Sequence, residues 1–508
     1  MTTTANDDNS FFGHYKPVIW LLPLLILAAG ILVRFVDLTD PPLDFNPTRQ
    51  LRSALIARGI YYEHDANLPA REKDAAVKFA NQTGVYEPPI FEHLVAWTYL
   101  LTGGEKLWIA RIWAILFWTL GAVGLFLFAR EVFGLDGGLV ALCFFLFLPF
   151  GVFASRSFQP DPLMVAGIIF TCWMLYRWHV THRWKYALLA GIIGGFAMLV
   201  KAGAAFFIGG MMLALLLAGK GILHRLRDRQ FWVMTGLMLV QPAVYYLLTI
   251  GNTSASLFAK WTLELAYLWV SPSFYMRWLI RVNSLVGLFP FFLGLIGVIL
   301  YEGKAKPLLA GYWLGYGVFG LAFPHHIMTH DYYHLALVPL LGLSLAPVGQ
   351  ILFAKARKLS GIWQMALLGV LAVGILYPVW IARSVLVGKD YRAEPAFWEC
   401  IGKAIPDDGN VIALTQDYGH RLRYYGWRGA ANFPSRAQQK LAALHGNKEA
   451  DFAEFFRNRT AGFDYFVVTS LNQLRKQPEL KQLLQSGYPV LEQGDGFIIY
   501  DLRHPFDD

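Results

Sequence analysis

Cysteine and charge are the two things this sequence has little of. Three cysteines stand among 508 residues. Cys143 and Cys172 fall inside apolar runs and Cys400 stands alone, so no disulfide framework is expected. Charged residues make up 16% of the chain, where a soluble globular protein carries about 25%. Together with 56% hydrophobic residues and a mean hydropathy of +0.41, this scarcity predicts a polytopic α-helical membrane protein. No cleavable leader is expected either. The N-terminal "MTTTANDDNS" is polar, and the first apolar run is long enough to remain as a signal anchor. Internal repeats, low-complexity tracts and basic–aromatic nucleic-acid modules are absent too. The net charge of +9 therefore needs another source.

What is abundant supplies it. Aromatics reach 16%, as interfacial belts of Trp and Tyr require. Apolar runs near the length of about 20 residues that a span needs lie at 17–36, 107–130, 138–155, 162–178, 186–202, 203–219, 231–250, 285–301, 307–323, 333–353 and 362–383. That makes eleven candidates, or about 11–13 helices if soft boundaries are split. With the N-terminus in the cytoplasm, the inner loops collect Arg177, Arg183 and Lys185; Lys220, Arg225, Arg227 and Arg229; Lys304 and Lys306; and Lys355, Arg357 and Lys358. Short basic loops are the mark of the inner side. Residues 1–383 form the expected transmembrane domain, with juxtamembrane helices in 37–106 on the outer face. Within it, Asn46 before Pro47 predicts a helix start. "TRQLRSALIARGIYY" reads as an interfacial helix whose Arg49, Arg52 and Arg58 face lipid. "PPIFEHLVAWTYLLTG" is too short to span comfortably and reads as a surface or re-entrant helix. Beyond 384, "VIALTQ", "FDYFVVTS" and "GFIIYDL" read as strands. Residues 384–508 are expected to form a small extracytoplasmic α/β domain.

The unusual polar residues all map to the outer side. They are Asp44 and Glu87 in the first outer segment, Arg156 and Asp161 in "SRSFQPDPL", Lys201 in "AMLVKAGAAFF", and His325, His326, His330, Asp331 and His334 in one turn. Charges at a membrane edge are costly and point to function. Each has a plainer reading: a solvated loop acid for Asp44, a helix cap for Glu87, an Arg156–Asp161 pair, and a headgroup-seeking Lys201. As a set they suit transfer from a lipid-linked phosphate donor. A carboxylate takes a proton from an acceptor hydroxyl, and cations neutralise the departing phosphate.

The order of "YEPPIFEHL", "ASRSFQPDPL", "LVKAG" and "HDYYHLALVPLL" resembles that in the polyprenyl-phosphate-sugar-dependent glycosyltransferases of the GT-C fold. The branch with aminoarabinose transferases and protein O-mannosyltransferases is the most similar, over about residues 17–350. The resemblance implies an inverting mechanism, a polyprenyl-phosphate sugar donor, Asp44 as base, Asp161 as the second-loop acid and Lys201 near the lipid phosphate. Many relatives carry Asp-Glu where this chain has Asp44, Phe45 and Asn46, so Asp40 stays in reserve as base.

The expected function is therefore a membrane glycosyltransferase of the cell envelope. It would move a hexosyl or pentosyl group to a lipid, glycan or protein acceptor at the outer face of a bacterial inner membrane. Asp44, Asp161 and Glu87 are the catalytic candidates. Lys201, Arg156, His330, His334 and Tyr333 are candidates for the donor phosphate. The alternatives are a transporter or flippase of a lipid-linked sugar, or a non-catalytic assembly protein. A transporter would carry charges near the bilayer midplane in repeated halves, which this chain does not show. The residues make no cofactor certain, and a divalent metal ion is the one they suggest, because His326, His330 and His334 at intervals of four match metal-ligand spacing on a helix. His326, His330 and Asp331 are the candidates for a divalent ion.

Overall fold

Most apolar runs fold as helices that are hydrophobic on all sides, the pattern of a helix surrounded by other helices or lipid. They are seen in a computed structural model that describes residues 10–13, 17–65, 67–218, 222–249, 256, 259–407, 409–444 and 451–506. Contacts divide the chain into two compact units. The first comprises Met1–Thr39, Val85–Ile90 and Trp108–Lys389, and the second Asp40–Gly84, Phe91–Leu107 and Asp390–Asp508. The segment expected to accompany the helical bundle, 37–106, thus falls mostly in the second unit.

In the first unit, six helices among the described residues are long and apolar enough to cross a membrane: Val18–Phe35, Trp108–Phe147, Asp161–Thr181, Arg229–Leu248, Asp331–Ala356 and Gly361–Val387. Pro272–Val286 and Leu288–Leu300 make a further span if their 96° bend is bridged. The protein is an integral membrane protein with fewer full-length helices than the eleven apolar runs suggested. Two runs, 107–130 and 138–155, lie largely in Trp108–Phe147, where two helices join at a kink at the non-helical Gly134, with φ +72°. That conformation favours glycine. Others are short. Trp184–Val200 and Ala204–Leu217 have 17 and 14 residues, or about 21–26 Å at 1.5 Å per residue.

Ala204–Leu217 and Lys306–Ala322 pack backbone to backbone. A Cβ on Gly210 would collide with Gly311 and Gly315, and one on Gly311 or Gly315 would collide with Gly210 and its neighbours. This is the small-residue interface that lets membrane helices approach closely.

The second unit is built on a five-stranded sheet: β1 (Val411–Leu414), β2 (Ala431–Asn432), β3 (Tyr465–Val468), β4 (Val490–Gly494) and β5 (Phe497–Asp501), in the order β2-β1-β3-β5-β4. β1 pairs in parallel with β2 and β3, whereas β5 is antiparallel to β3 and β4. Strand periodicity of two sends alternate residues to opposite faces. Val411, Ala413, Tyr465, Val467 and Ile499 join one apolar cluster with Trp398 and Ile401. Ile412, Leu414, Phe466, Val468 and Tyr500 join the other with Phe456 and Leu480.

The helix Pro47–His64 belongs to this unit and lies largely in its interior, contrary to the interfacial expectation. Leu51, Leu55 and Ala57 are fully buried. Ser53 donates to Glu92 at 2.7 Å, which ties it to the helix Ile90–Thr102. Arg58 does not face lipid. Its guanidinium is 3.7 Å from the Tyr424 ring centroid and 4.4 Å from that of Trp427, and it pairs with Glu105 at 2.9 Å. Burial opposes its charge, yet Glu105 and Tyr424 more than offset this and hold its pKa above the ordinary value. Arg58→Met leaves the half-buried Glu105, whose side chain is 14% exposed, without its cation. It should destabilise this unit by about 3–5 kcal/mol, the cost of breaking a buried pair. Thermal unfolding followed by tryptophan fluorescence reads this, and an unchanged midpoint would show that the pair is not needed.

Candidate active site

Two helix ends meet at Lys201. Asp161 opens the helix Asp161–Thr181 between Pro160 and Pro162, where proline suits the first turn. A carboxylate there faces the positive end of the helix dipole. Lys201 follows the last residue of Trp184–Val200 in extended conformation, the end where a cation is favoured. Their side chains join at 2.7 Å, with 15% of the lysine and 2% of the aspartate side chain exposed. Lys201 also lies 5.1 Å from the Tyr332 ring and 5.9 Å from the Tyr333 ring. The lining of this spot includes Met164, Phe207 and Phe319. A lysine that only sought headgroups would not be held between a carboxylate and two rings.

The histidine turn is broken where continuous helical spacing was expected. A helix covers Pro324–Thr329, His330 is extended, and a 3₁₀ turn covers Asp331–His334. His326 and His330 remain close, with ring centroids 4.9 Å apart. His326 stacks on Tyr333, again at 4.9 Å, and meets Trp261 edge-on at 4.5 Å. His334 departs from the other two and is fully buried. Its Nδ1 is 2.8 Å from the Tyr316 hydroxyl and its Nε2 2.8 Å from the Ile327 carbonyl. With both ring nitrogens engaged inside the protein, His334 fixes the turn and is not placed to donate to a phosphate. Asp331 accepts from the Tyr332 backbone at 2.9 Å. Among the described residues, no three of His, Cys, Asp and Glu are grouped as a metal ion requires.

Arg156 has a different role from phosphate binding. It is 2% exposed. Its guanidinium donates to the carbonyls of Arg34, Val36 and Asp37 where the chain leaves Val18–Phe35. Arg111 donates to the carbonyls of Asp37 and Leu38, and Arg34 donates to Ser155 at 2.7 Å. Three buried arginines thus fix the exit from the first helix. Arg34 and Arg111 were missed by the sequence reading, although both are charges at helix ends, the signal that picked out Lys201. Glu87 is half-buried in the first unit, just before Ile90–Thr102.

Asp44 lies in the second unit and is exposed. Asn46 is left-handed at φ +47° and makes no side-chain cap, so the expected N-cap is replaced by a turn that asparagine tolerates. Gln50 donates to the Phe45 carbonyl at 2.6 Å and approaches Asp44 at 3.4 Å. The reserve acid, Asp40, is 5% exposed and accepts from the Tyr391 backbone at 2.9 Å. Of these two acids, Asp44 is the one presented to solvent.

The helical membrane unit and the small mixed sheet define a class: the chain has the GT-C fold of membrane glycosyltransferases. A profile of the family described as Dolichyl-phosphate-mannose-protein mannosyltransferase matches residues 86–246, a stretch that contains Glu87, Arg156, Asp161 and Lys201. ArnT from Cupriavidus metallidurans in the apo state is similar at 17% identity, covering 96% of this chain and 98% of that one, with a TM-score of 0.58. The same enzyme bound to undecaprenyl phosphate gives 16% identity, coverage of 94% and 97%, and a TM-score of 0.55. The Archaeoglobus fulgidus oligosaccharyltransferase with Zn and sulfate gives 12% identity, coverage of 94% and 73%, and a TM-score of 0.57. No curated protein matches this sequence.

Proposed function

We propose that this protein is an inverting glycosyltransferase that moves a sugar from a polyprenyl-phosphate donor to an acceptor hydroxyl on the extracytoplasmic side. The observation that carries the reading is a fold shared along almost the whole chain with ArnT, itself crystallised with undecaprenyl phosphate. In this reading Asp44 accepts the proton of the acceptor hydroxyl as its oxygen attacks C1 of the sugar. Lys201 moves part of its charge from Asp161 to the leaving phosphate. His330 and Tyr333 border the donor's polar end, and Glu87 is a further acid of the first unit. The lysine supplies counter-charge at the phosphate, the role a divalent ion held by His326, His330 and Asp331 would share if one is bound.

The test is to combine purified protein, a polyprenyl-phosphate sugar and a lipid, glycan or protein acceptor. Release of polyprenyl phosphate with a glycosylated product is expected. A flippase would return the donor intact and an assembly protein would not change it, and either result would end the proposal. Activity should persist after verified metal removal by a chelator. A rate restored only by added divalent ion would assign His326 and His330 to a metal site instead.

A further inference from the structure

A second cluster of polar side chains lies in the α/β unit and involves none of the groups assigned to transfer. At the C-terminal ends of β1 and β3 the chain diverges. β1 continues to β2 on one side, while β3 lies on its other side. Such switch points are where open α/β sheets place ligands. Here the ends are joined by polar side chains. Thr469 Oγ1 lies 2.8 Å from Thr415 Oγ1 and 2.7 Å from Gln416 Oε1. The connection after β1 then passes through three left-handed residues, Asp417, Tyr418 and Gly419, at φ +52°, +56° and +79°. Two of these are not glycine, and such backbone persists only where its surroundings hold it.

His420 follows this turn. It is 9% exposed, and its Nδ1 has no hydrogen-bond partner among the described residues. Arg423, three residues on and on the same helical face, donates from Nη2 to the Ala430 carbonyl at 2.8 Å. Its Nε is buried and likewise unpartnered among the described residues. Burial lowers the Arg423 pKa, and no carboxylate acts against this. The third cation comes from Pro47–His64. Thr48 on that helix donates to Asp417 at 2.8 Å, so Arg52, one turn on, occupies the same face, with its Nε donating to the Gly84 carbonyl at 2.7 Å. Arg52 acts on His420 together with Arg423; with burial as the main cause, they push the His420 pKa down to about 4, while Asp417 opposes. Asp417 is the acid nearest this group, and both its oxygens are engaged, one by Thr48 and the other by Arg421 at 2.6 Å. Arg421 in turn pairs with Glu394 at 3.0 Å.

We infer that His420, Arg423 and Arg52 form a binding site for a phosphate group, placed at the switch point of the α/β unit. Buried polar atoms of native proteins almost always have partners. Here two polar groups on one helical face, the imidazole Nδ1 and a guanidinium N–H, are without one among the described residues. An anion between them would satisfy both. It would also set a negative charge against the burial and the neighbouring cations that hold the His420 pKa down, so binding favours uptake of a proton. Affinity must then rise as the pH falls through the window between the free and bound pKa values of His420. The inference does not depend on the transferase reading.

The test uses the full chain in nanodiscs of neutral lipid. Inorganic phosphate should bind saturably and slow hydrogen exchange in the 415–425 peptide. Once the titration of phosphate itself is subtracted, binding should strengthen from neutral to mildly acidic pH. Arg423→Gln and His420→Gln should weaken it by about tenfold or more, the scale of losing one charge-assisted hydrogen bond. Nanodiscs containing phosphatidic acid identify the source. Protection of 415–425 without added phosphate points to a lipid headgroup, and protection by free phosphate alone points to a soluble ligand. The exchange measurement on the unaltered chain stands even if a variant folds poorly. No protection in either arm, or equal affinity in correctly folded variants, would overturn the proposal.

Discussion

Asp44→Asn is expected to bind the donor normally and to turn over about 10²–10⁴-fold more slowly, the usual contribution of a positioned proton acceptor. The substitution keeps the shape of the side chain and removes only its basicity. The main competitor is Asp40, four residues earlier, and the two differ in their surroundings. Asp40 is 5% exposed and tied to the Tyr391 backbone, whereas Asp44 is exposed. Asp40→Asn should therefore lower stability more than it lowers kcat in the surviving protein. Single-turnover kinetics with donor and acceptor separate the two effects. If Asp44→Asn turns over at the wild-type rate, another acid is the base.

Lys201→Met has two expected consequences that a second substitution can pull apart. Alone, it leaves the Asp161 carboxylate at 2% side-chain exposure without its cation, and it should destabilise the first unit by about 3–5 kcal/mol. It should also weaken donor binding and slow the transfer. The double variant Lys201→Met, Asp161→Asn removes the stranded charge and should recover much of the stability. It should recover none of the transfer if Lys201 holds the phosphate. Recovery of both would make the pair a structural bridge between helix ends and nothing more. Thermal unfolding and a donor-binding titration on the same preparations decide between these outcomes.

The residues differ in how openly the sequence announces them. Lys201 interrupts an apolar run, and that cost marks it from sequence alone. The strands were equally plain, because "VIALTQ" and "FDYFVVTS" become β1 and β3 with alternate side chains in the two apolar clusters. Arg156 was visible as a charge between spans, but its partners are carbonyls about 120 positions earlier, and no local pattern encodes a distant carbonyl. Arg58 misled for a related reason. An arginine among apolar helical residues looks the same whether lipid or Tyr424 lies opposite, and only the fold brings residue 424 to residue 58. The histidines at intervals of four suggested one helix face. The spacing survives for His326 and His330, but an extended residue at 330 turns His334 into the interior.

The arginines at the exit of the first helix have a consequence for biosynthesis. Arg34 lies in the last turn of Val18–Phe35, and its hydroxyl partner, Ser155, is 121 residues downstream. At a synthesis rate of about 5–20 residues per second, the ribosome needs about 6–24 s to make that partner. Throughout that interval the guanidinium has the Gly30 carbonyl of its own helix, at 2.6 Å, and water or lipid phosphate at the membrane edge must serve the donors that Ser155 later takes. The contacts that fix the exit of the first helix are therefore complete only when Ser155 and Arg156 have been made, nearly a third of the way along the chain.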